Sequence, residues 1–206
     1  MEDAVVHVSN LTVLNPRGYL ISGYANRAVL HVDSCSLLDT RTGDRNNSDG
    51  FAGARGSSIS RSFISTGDDA IKVYHDITIN DVTIEQHRNG AALQFGWGGE
   101  SRSVTAAIRN LVIRGVDPEH RYNMAPLTWE RGSGGTRNVT IDGLEVITSG
   151  EMYDEERKTW NPVGLLEVKP RECEFNLRVT NASLHGLLRG TCNATGTVSI
   201  ENAVMP

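Results

Sequence analysis

A six-residue pattern recurs along the chain. An apolar residue stands first, a corner residue third, an apolar or small residue usually fourth, and an apolar residue sixth. Its eight copies are VSNLTV from Val8, VDSCSL from Val32, ISRSFI from Ile59, INDVTI from Ile79, IRNLVI from Ile108, IDGLEV from Ile141, VTNASL from Val179 and IENAVM from Ile200. Successive copies start 24, 27, 20, 29, 33, 38 and 21 residues apart. A strand alternates its faces with period two, so inward residues fall two apart. Here the inward set jumps by three and then resumes by two, which describes strand, sharp bend, strand. In six copies the third residue is Asn10, Asp81, Asn110, Gly143, Asn181 or Asn202. Those residue types tolerate the left-handed backbone that a one-residue corner demands.

Repeats of 20 or more residues with variable insertions mark a solenoid. The copies are rich in Val, Ile and Thr and lack helical periodicity, so the solenoid is built of strands. The fold class expected is all-β: a right-handed, single-stranded parallel β-helix of about eight coils, with residues 1–206 as one domain. An antiparallel sandwich is the competing architecture, but it would place hairpin turns at short fixed intervals.

Residues 38–47, 115–124 and 148–162 lengthen the same turn of three coils. Loops on one face of a solenoid usually build its binding face. These carry Tyr122, Tyr153 and Trp160, which are expected to wall a groove. The repeat also serves as a ruler. Asp68 lies nine residues after Ile59, Asn89 ten after Ile79, and Asp49 17 after Val32 with the first insertion between. All three positions therefore fall at one turn on consecutive coils, about 4.8 Å apart. Asp49 and the Asp68–Asp69 pair become stacked neighbours. Along Ala70–Tyr74, Ile71 and Val73 point inward and Lys72 outward, and 22 residues later Leu93 and Gln94 repeat that placement. Lys72 and Gln94 are thus expected on the outer surface beside the acids. By the same parity Glu167 faces the groove.

Composition narrows the chemistry. The formal charge of −5, with 17 Arg and three Lys, leaves no basic footprint for nucleic acid. No apolar run reaches the length of a membrane span. Cys35, Cys173 and Cys192 lack metal-ligand spacing, although Cys173 and Cys192 could pair. No signal peptide is recognisable at the start, and no cofactor or metal is expected.

Clustered carboxylates raise one another's pKa, so a purely stabilising role is costly. Three readings stay open. Glycoside hydrolysis needs one carboxyl to protonate the leaving oxygen and others to activate water. Calcium binding also uses stacked acids. Alternatively, Asp49 and Asp68 simply form Asp-Gly and Gly-Asp turns.

The segments NSDG from Asn47, GDDAIKVY from Gly67 and NGAALQFGW from Asn89 resemble the signature of glycoside hydrolase family 49, the dextranases and isopullulanases. Family 28, the polygalacturonases, shares the Asp-Gly and Asp-Asp elements on the pectin-lyase-like fold. Its His-Gly and Arg-x-Lys elements have no counterpart here; His87 is followed by Arg88-Asn89-Gly90. The resemblance is strong over residues 46–98 and looser to about residue 190. It implies an inverting hydrolase of a neutral polysaccharide such as dextran or pullulan. It assigns Asp68 as general acid, and Asp49 and Asp69 as the groups that position and deprotonate water. Lys72, Gln94 and Trp97 match motif positions and would contact sugar. Asn89 and His87, at the same turn, are added as sugar contacts, while Trp129 and Trp160 are weaker candidates. Polygalacturonase-like pectin hydrolysis is the closest alternative, and a non-catalytic carbohydrate-binding β-helix the second. Family members carry a β-sandwich domain and further coils before the motif, so an N-terminally shortened domain from a secreted parent is expected. Its open first coil would self-associate or meet a partner domain.

Overall fold

The repeat starts pair in parallel, coil upon coil. Val8 lies in register with Val32, Val32 with Ile59, Ile59 with Ile79, Ile79 with Ile108, Ile108 with Ile141, Ile141 with Val179, and Val179 with Ile200. The structure, a computed structural model, describes residues 4–23, 27–41, 47–87, 89–115, 122–123, 125–132, 134–147, 151–154, 159–162, 164–185 and 191–204. The side chains of 122–123, 151–154, 159–162 and 191 lie outside that description. Among the described residues there is no helix, and the strands stack as a parallel β-helix. The sandwich alternative fails because those ladders are parallel, apart from one hairpin between Glu151–Asp154 and Thr159–Pro162.

Every corner residue of the repeat has a positive φ, from 44° at Arg61 to 81° at Gly143. Ser34 and Arg61 adopt this conformation without the residue type that favours it. Their neighbours hold them there. Ser34 N–H donates to Ser60 O at 3.0 Å and Arg61 N–H to Asn80 O at 3.0 Å, so each corner amide is bonded to the next coil. An Arg61–Asp33 ion pair at 2.6 Å adds a link across the same corner.

Each corner turns its strand so that repeat positions one, four and six face one interior. Ile79, Val82 and Ile84 stack on Ile108, Leu111 and Ile113, all fully buried or nearly so. Burying each such side chain stabilises the fold by about 1.5–3 kcal/mol. Position four of the third repeat is Ser62, whose hydroxyl donates to Ser60 O and accepts from Cys35 N–H. The buried hydroxyl is therefore satisfied.

A second sheet closes each coil. Its parallel strands are Ile21–Ser22, Phe51–Ala52, Ile71–Lys72, Leu93–Gln94, Leu127–Trp129, Leu166–Val168 and Thr191–Cys192. Phe51, Ile71, Leu93, Leu127 and Leu166 are in register and feed the core. The alternate residues Lys72, Gln94, Thr128, Glu167 and Thr191 form a second row. The end of the second insertion, Tyr122–Asn123, pairs with Asn89–Gly90 and so returns to the turn expected to carry the site.

Both ends of the described solenoid expose apolar side chains: Val5, Val6, Leu11 and Leu14 at one, Val198, Ile200 and Val204 at the other. Cys35, Cys173 and Cys192 are free thiols, so the possible Cys173–Cys192 pairing is not made.

Candidate active site

Asp49, Asp68 and Asp69 meet where the first sheet turns into the second. Gly50 N–H donates to Asp69 O at 2.9 Å and Asp68 N–H to Ser48 O at 3.1 Å, which lays residues 48–50 alongside 68–70. Ser48 is buried, and its hydroxyl accepts Gly67 N–H at 3.0 Å, pinning the turn before the acid pair. The three carboxylates bring oxygens within 4.8 Å of one another. The ruler drawn from the repeat thus placed them correctly.

Lys72 joins them, but not from the outer surface. Its ammonium lies 2.7 Å from Asp69 Oδ2 and 3.0 Å from Asp49 Oδ1, with the side chain 9% exposed. The second contact is a charge contact outside hydrogen-bond alignment. The Tyr19 and Tyr74 rings flank the ammonium, their centroids 5.7 and 5.6 Å away. Outward parity held, yet two aromatic side chains cover the position. The expectation of a surface lysine is corrected accordingly.

Gln94 is corrected in the same way. It is fully buried, not at the surface. Its carboxamide nitrogen reaches Asp69 Oδ1 at 3.4 Å, and its oxygen accepts the amides of Gly96 and Glu130 at 3.3 Å. Turned over, the nitrogen would donate to the Gly96 and Thr128 carbonyls at 3.0 Å, at the cost of facing an oxygen toward Asp69. The turned orientation is the better one, because otherwise the carboxamide oxygen faces the Gly96 and Thr128 carbonyl oxygens, and acceptors in contact repel. In either orientation Gln94 is bonded to the backbone of the neighbouring coil beside the acids.

Asp69 is the most constrained acid. Oδ2 takes Lys72, and Oδ1 accepts Ala91 N–H at 2.9 Å. Among the described residues, Asp68 accepts the Asp69 amide on Oδ1 at 2.9 Å. Burial, followed by the charges of Asp69 and Asp49, pushes the Asp68 pKa up to about 7. Burial also raises Asp49, to about 6, against the pull of Lys72. The Lys72 ammonium is buried, but the two carboxylates outweigh that and hold its pKa above the usual lysine range. One acid is therefore half protonated near neutrality beside a fixed cation that neutralises part of the remaining charge. The same oxygens are close enough to share a metal ion, but Lys72 already supplies the positive charge between Asp49 and Asp69.

The remaining candidates scatter. His87 Nε2 is bonded to the Ser65 hydroxyl at 2.7 Å, and Asn89 Nδ2 donates to Asn47 Oδ1 at 3.4 Å. Trp97 is 41% exposed and stacks against the Arg131 guanidinium, 4.0 Å from its centroid. Trp129, a weaker candidate for sugar contact, is wholly buried and belongs to the core. The side chains of Tyr122, Tyr153 and Trp160 lie outside the described residues.

Sequence reasoning missed three residues here. Tyr19 precedes Ile21 by two residues, as Asp49 precedes Phe51, and it hydrogen-bonds Asp49. The same ruler, carried one coil back, would have found it. Tyr74 follows Lys72 by one full alternation and is likewise buried. Gly90 has φ of +75°, and a Cβ there would fall 2.5 Å from Asp68 Oδ1. Only glycine leaves room for that carboxylate and for the Asp68–Asp69 backbone, 2.4 Å away at the Asp69 nitrogen.

No family model matches the chain. It is similar to a dextranase of Arthrobacter sp. (strain CB-8), 37% identical over 91 residues. That stretch is 44% of this chain and 14% of the dextranase, so the chain spans a small part of that relative's length.

Proposed function

We propose that the chain carries the catalytic coils of a polysaccharide hydrolase that cleaves a neutral α-glucan, dextran or pullulan, with inversion. The observation that carries this reading is Asp68: a carboxyl with a pKa near 7, held against two further carboxylates on adjacent coils. The similarity to a dextranase supports glycoside hydrolysis as the reaction class.

In this mechanism Asp68 donates its proton to the glycosidic oxygen as the bond to the anomeric carbon breaks. Water attacks that carbon from the opposite face and passes its proton to Asp49, with Asp69 orienting it. Asp69 suits a positioning role, because both its oxygens are already engaged. Lys72 prevents the two bases from repelling each other apart. Carboxyl groups in inverting enzymes usually stand about 6.5–9.5 Å apart. The closest oxygens here are nearer than that, so inversion rests on the motif resemblance and not on the spacing.

Reducing-end release from dextran, pullulan and polygalacturonate tests the reading, with the anomer first formed followed by proton NMR. Release from an α-glucan with anomeric inversion is expected. Asp68→Asn should lower it about 10²–10⁴-fold, the usual contribution of a general acid. Undiminished release by Asp68→Asn overturns the assigned acid. Preference for polygalacturonate moves the substrate to pectin, and binding without cleavage of any polymer leaves a carbohydrate-binding β-helix.

A further inference from the structure

We propose that residues 96–101 form a strap that closes when the Glu100 carboxylate accepts the indole N–H of Trp129 and Nη2 of Arg137, which fixes the exposed Trp97 that the strap carries.

Arg137 puts a charge in the core, fully buried. Its Nε donates to Phe95 O at 3.0 Å, and its Nη1 to Thr136 O at 3.1 Å and Arg102 O at 3.4 Å. Those acceptors are neutral carbonyls, whereas a buried cation needs a counter-charge. Burial lowers the Arg137 pKa, and Glu100 is the foremost charge opposing that shift. Among the described residues Nη2 has no acceptor.

Trp129 is wholly buried beneath the same guanidinium, and its Nε1 likewise has no acceptor among the described residues. Both Glu100 oxygens are shielded from water and accept no hydrogen bond from the described residues. A Cβ on Gly132 would collide with Glu100 Oε1 and stand 3.2 Å from Trp129 Nε1, so the carboxylate and the indole N–H border one small space. A Cβ on Gly96 would collide with Trp129 Nε1. Two glycines therefore clear the ground on which Glu100 and Trp129 meet. Leaving buried donors and a buried charge unmatched is costly, which draws Glu100 inward onto both donors.

The strap is held at its ends and loose between them. Gly96 O accepts Arg131 N–H at 3.2 Å. Ser101 N–H donates to Tyr74 O at 2.8 Å, and its hydroxyl is bonded to His75 Nδ1 at 2.8 Å. Trp97, Gly98 and Gly99 are exposed, and among the described residues 97–100 make no backbone–backbone hydrogen bond. Gly98 and Gly99 have φ of 139° and 83°, and a Cβ on Gly98 would meet nothing within 4 Å. A segment with so few bonds and two glycines hinges easily. Trp97 rides on it, stacked on Arg131.

Proton–nitrogen NMR of the full chain tests the strap without requiring turnover. In the wild type the Trp129 indole proton is expected at low field, as in a hydrogen bond to a carboxylate, with the Gly98 and Gly99 amides as ordered as those of the strands. Glu100→Ala should move the indole resonance upfield and loosen 97–100, leaving Leu93 and Leu127 unchanged. Glu100→Gln keeps an acceptor without the charge and should fall between. A double-mutant cycle of Glu100→Ala with Trp129→Phe, read by urea unfolding, should show a coupling of about 10-fold in the folded-to-unfolded ratio. The resonances of the Glu100 variants decide the matter even where Trp129→Phe fails to fold. An indole resonance and a 97–100 segment that are the same in Glu100→Ala as in the wild type overturn the strap. So does strict additivity in the cycle, or loosening spread evenly over the strands.

Discussion

The Lys72 ammonium stands 2.7 Å from Asp69 Oδ2, three residues back along the same coil, and neither side chain is more than a tenth exposed. A buried pair of this kind carries a large desolvation cost and is worth little net stability while intact. Removing one partner is different, because the other charge stays buried and unmatched. Lys72 places a cation between Asp49 and Asp69 and offsets the repulsion between the two carboxylates.

Lys72→Met is expected to destabilise the protein by about 3–5 kcal/mol near neutral pH. Without the cation, the folded-state pKa of Asp49 rises further above its unfolded value. The variant's native state then binds more protons than its unfolded state, so its stability recovers as pH falls. Urea unfolding from about pH 8 down to about pH 4, near the unfolded carboxyl pKa, checks the trend. A penalty that does not change with pH would show that the lysine stem, and not its charge, matters.

The pH–rate profile should be narrow. Asp49 must lose its proton to act as base, so kcat/KM rises through about pH 6. Asp68 must keep its proton to act as acid, so the rate falls above about pH 7. Asp49 and Asp68 raise one another, so the limbs belong to the pair. Asp68→Asn should abolish the alkaline limb in whatever activity remains.

Stability should carry the same signature. Asp49 and Asp68 both have folded pKa values above the ordinary 3.8. Their contribution is intact at low pH and is lost as pH rises through the interval from about 4 to about 7. Asp68→Asn should therefore unfold at higher urea than the wild type at about pH 8, by about 1–3 kcal/mol. A variant less stable than the wild type at that pH would contradict the burial-driven shift.

Gly90→Ala tests the fit of the acid. The new methyl falls 2.4 Å from the Asp69 backbone nitrogen and 2.5 Å from Asp68 Oδ1, on a backbone with φ of +75°, so it pushes on the coil that carries the acid as well as on the carboxylate. The strain costs about 1–2 kcal/mol, and the displaced carboxylate should lower kcat about 10²-fold, with KM less affected. Circular dichroism and steady-state kinetics separate the two effects.

Arg137 is fully buried. Its guanidinium sits 4.2 Å over the Trp129 ring, and Nε donates to Phe95 O at 3.0 Å, one residue beyond Gln94. Burial lowers its pKa to about 10. Arg137→Ala should cost about 3–5 kcal/mol through the lost packing and hydrogen bond, read as a lower urea midpoint.

Much of this was legible in the order of residues. The six-residue repeat determined where each strand bends, which side chains enter the core and how the coils align. From that alone Asp49 falls beside Asp68 and Asp69, and Lys72 beside Gln94, because stacking one coil on another turns a difference in residue number into a rung. Register is a linear property, readable along the chain. Protonation and accessibility are not. That Lys72 and Gln94 are covered, that Tyr19 and Tyr74 flank the ammonium, and that Asp68 carries a proton near neutral pH depend on how much water reaches each atom and which charges face it. Those are decided by packing between coils, where residues from positions 19, 49, 68, 74 and 90 converge. The sequence determined the neighbours, and the tertiary structure decided their charge.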